Sequence, residues 1–165
     1  MIDVLATWFD RVVPQFDDGE ARNFLDKCKL NHSHAGAIMI GKAAADEPGY
    51  FVEKMLPRVR ATVLKTEDCR AGEVSNRAWP WLSNDGAPSD INDAVLLALR
   101  KSLQYLASHN IEAFRRHAAT IATHPHQTFG YLLLRSWVDN PEEFANDCAE
   151  YLIADQLRLN SAEDA

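Results

Sequence analysis

Cysteine is scarce in this chain. The three present, Cys28, Cys69 and Cys148, are odd in number, far apart, and form no CxxC pair. That speaks against a disulfide framework and against zinc-finger spacing, and for reduced thiols in a cytoplasmic protein. Glycine and proline number seven each, too few for a low-complexity or disordered chain. No apolar run approaches the roughly 18 residues of a membrane span. Met1-Ile2-Asp3-Val4 lacks the basic-then-apolar pattern of a signal peptide. Basic residues are in deficit: 17 Lys and Arg against 24 Asp and Glu leave a net charge of −7. Binding to a phosphate backbone needs a basic face, so nucleic acid is not an expected partner, and neither is a membrane. Alternation of β-branched residues over four or more positions is absent, so no strand is expected.

What the chain does have is helical periodicity. Its 165 residues, 47% of them hydrophobic, suit a single domain able to bury a core of its own. Ile2, Leu5, Trp8, Phe9, Val12 and Val13 lie at 3–4-residue spacing and predict a first helix. A short second helix is expected over Gly19–Leu30 and an Ala-rich third over His32–Ala45. Pro48 suits the first position of a fourth helix, whose buried stripe is Phe51, Met55, Leu56, Val59 and Val63, with a kink expected at Pro57. The pattern then fails over residues 66–88, where Gly72, Pro80 and Gly86 punctuate a polar stretch. This reads as an irregular connector with one short helix near Ser75–Leu82. A fifth helix, capped by Ser89 or Asp90, is apolar around most of its circumference to about Ser108 and is therefore central. A sixth begins at the cap Asn110, a seventh covers Thr128–Val138, and an eighth starts at Asn140-Pro141-Glu142-Glu143, with cap, first-position proline and early acids. The expected layout is N-terminal helices over 1–65, connector over 66–88, helical hairpins over 89–155 and a frayed tail over 156–165.

Three helix starts resemble one another. Glu47, Asn110 and Asn140 each stand four residues before a phenylalanine: Phe51, Phe114 and Phe144. The segment Gly41–Asp46 aligns with Leu134–Asp139, each leading into such a start. The phenylalanines are 63 and 30 residues apart, with the connector inserted once. The outer spacing of 93 is about two periods of a helical repeat of roughly 40–47 residues. The fold class expected is all-α: stacked antiparallel helical hairpins, α-solenoid-like, of about eight helices with one long connector.

The hairpin over 126–158, with Trp137-Val138-Asp139-Asn140-Pro141-Glu142-Glu143-Phe144 leading into Phe144-Ala145 and Cys148-Ala149-Glu150-Tyr151-Leu152-Ile153-Ala154-Asp155, resembles the HEAT-, armadillo- or TPR-like repeat regions of bacterial STAND-type NTPases. The resemblance extends less fully to 91–123 and loosely to 48–65. It implies a non-enzymatic module that recognises a trigger in a signalling or defence response. It implies no catalytic residues and no cofactor, and a partner that is another protein or the remainder of a larger assembly. Those NTPases are far longer, and this sequence carries no NTPase module.

Several motifs invite chemistry. Gly36–Ala43 matches GxxxxGK, but Ala43 replaces the Mg²⁺-binding Ser or Thr and no strand precedes it, so it reads as part of a helix. His32, His34, His124 and His126 form two HxH pairs, the alternative metal ligands if the segments are extended. Cys148 with His117 or His126 is a conceivable thiol–imidazole pair, and Cys69 beside Arg70 is the most reactive thiol expected. Lys54, Arg58, Arg60 and Lys65 mark a cationic face, and Arg115-Arg116 a second small basic cluster. Arg77, Trp79 and Trp81 are the candidate partner-binding residues, because Trp and Arg dominate interface hot spots; the competing role is packing the connector onto the helices. The function expected is a protein-interaction or scaffold module. The alternatives are a small metal- or thiol-dependent helical enzyme, or a ligand-binding bundle lined by the broad apolar fifth helix.

Overall fold

The computed structural model describes residues 1–12, 34–70, 73–76, 79, 88 and 91–154. Among these the chain forms seven helices: α1 (Ile2–Val12), α2 (His34–Asp46), α3 (Pro48–Lys65), α4 (Ile91–His109), α5 (Ile111–Ile121), α6 (Gln127–Val138) and α7 (Pro141–Ile153). The helix expected over 19–30 lies outside the described residues. None of the described helices is long and apolar enough to cross a membrane.

The irregular connector needs correcting at its start. Glu67–Arg70 (β1) and Glu73–Asn76 (β2) form an antiparallel two-stranded ribbon, with Arg70 opposite Glu73 and Cys69 opposite Val74. Ser75 and Asn76 thus belong to a strand, not to a helix. Periodicity missed the ribbon because neither strand alternates apolar with polar residues. The readable signal was the two-residue spacing, Ala71-Gly72, between the two segments.

The three similar helix starts share one geometry. Glu47, Asn110 and Asn140 have φ/ψ of −136/64, −149/73 and −139/67. In each, the phenylalanine four residues on donates its N–H to the cap carbonyl, at 2.9, 3.0 and 3.2 Å. Phe51, Phe114 and Phe144 are all fully buried. The chemistry of the starts differs. Asn110 accepts from the Ala113 N–H at 3.1 Å, a side-chain cap. Asn140, expected to do the same, makes no cap bond; its amide donates to the Ala107 carbonyl at 3.3 Å, tying the turn to α4. There and at Glu47, proline occupies the first turn, where a missing N–H removes an otherwise orphaned donor.

Around these turns the helices pack as neighbours. α2 and α3, α4 and α5, and α6 and α7 are joined end to end and touch; α4 also packs on α2, α3 and α6, and α3 touches α5. α5 meets α7 through the edge-to-face pair Phe114–Phe144, 5.0 Å between ring centroids, and through Arg115 with Glu143 and Asp147 at 2.8 and 3.6 Å. α1 lies on α3, held by buried Ala6 and Phe9, by Tyr50 donating to Asp3 at 2.7 Å, and by Arg58, which binds the Ala6 carbonyl and Asp10. One cluster of buried side chains runs through all seven helices. The stripe expected on α3 is buried in full, and α3 continues through Pro57. Phe144→Ala should destabilise the protein by about 3–5 kcal/mol, read by denaturant unfolding; a loss below about 1 kcal/mol would show that the turn phenylalanines are not anchors.

Candidate functional site

The cationic face of α3 is committed to internal contacts. Lys54 lies 3.8 Å from Asp3, Arg58 pairs with Asp10, and the Arg60 guanidinium donates to His124 Nε2 at 2.8 Å.

The histidine pairs are likewise occupied by structure where they are described. His32 lies outside the described residues, and His34 opens α2. His124 Nε2 accepts from Arg60. His126, 2% exposed, stands before α6 and its Nδ1 accepts from the Thr128 N–H at 3.1 Å. A metal needs the unprotonated nitrogen's lone pair, and in both rings that lone pair already receives a proton donor. Among the described residues no three His, Cys, Asp or Glu side chains gather as a metal cluster.

The thiols offer little more. Cys28 lies outside the described residues and Cys69 lies in β1. Cys148 is half-buried on α7, and burial raises its pKa, keeping it a protonated, weakly nucleophilic thiol. The segment Gly36–Ala43 is continuous helix within α2 and so does not form the loop a phosphate cradle requires.

Of the proposed partner-binding residues, Arg77 and Trp81 lie outside the described residues. Trp79 is 2% exposed and its indole N–H donates to the Asn92 carbonyl at 3.0 Å. It is buried against the first turn of α4. A loop tryptophan in sequence carries no sign of which side it faces; here the buried N–H found a backbone partner, as an interior indole requires.

A concave feature of the described residues lies elsewhere, between α2 and α4. Ala37, Gly41 and Ala45 on one helix face Ala94 and Ala98 on the other across a groove of about 450 Å3. Such small side chains at helical spacing leave the helix surfaces low, and a volume of this size is typical of ligand sites. Leu97, Lys101, Ser102 and Tyr105 complete the α4 wall. Among the described residues that line the groove there is no carboxylate, and the one charged group is Lys101. Ser102 is 2% exposed and its hydroxyl has no hydrogen-bond partner. Ile38, Met39 and Tyr105 are about half-exposed alongside, at 57, 56 and 48%, and the Tyr105 ring stacks on His109 at 4.2 Å. The sequence offered the broad apolar helix that is α4 as the wall of a pocket, without pointing to these residues or to α2 as the other wall. The available signal was the stripe of Ala and Gly on α2, noticed only as a failed phosphate motif, facing Ala94 and Ala98 on a helix already read as broadly apolar.

No protein-family model, curated protein or solved structure matches this chain.

One titration follows from the packing of α5. Burial, then the neighbouring Arg116, lowers the His117 pKa, against a smaller opposing pull from Glu53. The unfolded chain therefore binds this proton more readily, and the stability due to neutral His117 is lost as pH falls below about 6.5. Melting temperatures at pH 7.5 and 5.5 should fall less in His117→Gln than in the unmodified chain; equal falls would contradict the assignment.

Proposed function

We propose that this chain is a non-enzymatic helical-repeat interaction module, α-solenoid-like, whose contacts are made by surface and not by catalysis. The observation that carries the reading is the turn used three times: the same cap dihedrals, the same backbone bond to a buried phenylalanine, and a first helix packed on the first helix of the neighbouring hairpin. α2, α4 and α6 then make one layer, and α3, α5 and α7 the other. Repeats that bury their faces only against neighbours leave an extended surface for binding. The resemblance of residues 126–158 to repeat regions of bacterial STAND-type NTPases agrees with this reading, and the partner would be another protein or the remainder of a larger assembly.

The contact face under this reading is the outer side of α2 with the rim of α4, where Ile38, Met39 and Tyr105 expose apolar surface together. Exposed apolar groups gathered in one place mark interaction surfaces. A photo-crosslinking residue at Met39 should give one discrete adduct with a partner in source cells, and the same residue at Val4, exposed on α1, should not. Ile38→Glu should abolish the adduct while leaving the melting temperature within about 2 °C, as surface changes of about 0.5 kcal/mol do. Equal labelling from both positions, or none from either, would contradict the assignment.

A second reading, a helical ligand-binding bundle, is favoured by one specific observation. The α2–α4 groove combines ligand-sized volume with a buried hydroxyl that has no protein partner.

A further inference from the structure

We infer that the α2–α4 groove binds a small amphipathic carboxylate, its hydrocarbon chain lying between the Ala-lined helix faces and its head group at Lys101, Ser102 and Tyr105. The inference rests on the ligand-binding reading of the groove and adds the chemical class of the ligand.

The polarity of the groove is graded along α4. Its wall runs from Ala94 through Leu97 and Ala98 to Lys101, Ser102 and Tyr105. At 1.5 Å per residue this is a span of about 16 Å. The first half is wholly apolar, and the three polar side chains fall within little more than one turn at the other end. A ligand that fits is therefore apolar at one end and polar at the other.

The polar end selects an acceptor of negative charge. Among the described residues Lys101 is exposed and forms no ion pair, and none of those that line the groove is an acid, in a chain with net charge −7. An ammonium offers three donors and no acceptor; serine and tyrosine hydroxyls each add one donor. A carboxylate accepts several such bonds, and bonds to a charged acceptor are the stronger kind. Ser102 gives the second, independent observation. A buried hydroxyl without a partner costs about 1–3 kcal/mol, and natural structures rarely keep one without use. Elsewhere a helical Ser satisfies itself on the carbonyl four residues back, as Ser136 does at 2.7 Å; Ser102 does not.

The test uses the purified full chain with octanoate, 1-octanol and octylammonium, followed by calorimetry and thermal shift. Octanoate is expected to bind saturably at one site, with 1-octanol about tenfold weaker and octylammonium weaker still. Gly41→Leu fills the groove without disturbing the helix, because a Cβ there meets nothing within 4 Å and leucine is the better helix former; it should abolish binding. Ser102→Ala should weaken octanoate about five- to tenfold while the melting temperature without ligand stays the same or rises. A merely structural serine would give the opposite pattern, unchanged binding and a lower melting temperature. Lys101→Gln should erase the preference for carboxylate over alcohol. Equal or tighter binding of the alcohol or the ammonium would overturn the head-group assignment alone. Octanoate binding that survives Gly41→Leu would overturn the location. Saturable binding of none of the three would overturn the inference and the ligand-binding reading together.

Discussion

The structure depends on the burial of one helix. α4 packs on α2, α3, α5 and α6, so its interior positions must be apolar on several sides at once. Val95, Leu99 and Leu103 are fully buried, and Ala94, Ala98 and Ala107 are buried beside them. The polar groups it draws inward are handled individually. Arg100 donates to the Tyr131 hydroxyl at 2.7 Å and lies over the Tyr131 ring. Gln104 reaches across to the Arg135 carbonyl and Asp139 on the α6 side. Ser102 alone among these side chains is left facing a groove with nothing to bond.

The turns convert that central helix into an ordered set of neighbours. A link of one or two residues gives the following helix little freedom of direction, and the phenylalanine one turn later fixes what remains by burial. A fully buried aromatic ring is worth several kcal/mol, more than any single cap. This explains why the cap chemistry is free to vary between a true side-chain cap at Asn110 and proline-led starts at Glu47 and Asn140, while the phenylalanine does not vary. It also explains the open groove. On α2 most of the positions that line the groove are Ala and Gly, whose short side chains leave space between the two helices.

Much of the fold is legible in the sequence for physical reasons. Helical periodicity, the wide apolar circumference of α4 and the three cap-to-phenylalanine spacings all report burial, and burial is what the fold satisfies. The β1–β2 ribbon was not legible, because a polar two-stranded ribbon owes its form to backbone pairing and carries no hydrophobic alternation. Trp79 was legible as a side chain able to pack the connector onto the helices, but its partner was not, since the Asn92 carbonyl is supplied by a separate helix. The histidines drew attention as ligands, although His126 serves as a cap and His124 as an acceptor for Arg60. The groove was the least legible feature. It is made by absent side chains on two helices, and only their packing brings Gly41 and Ala98 to one space.

If α4 is the element on which the others lean, its amides open only when the whole molecule unfolds. Native-state hydrogen exchange read residue by residue tests this most directly. The central amides of α4, around Leu99 and Leu103, should be the slowest in the chain, exchanging at the global unfolding free energy, with α1 and α7 exchanging well before them. Exchange of α4 as fast as α7 would contradict the account.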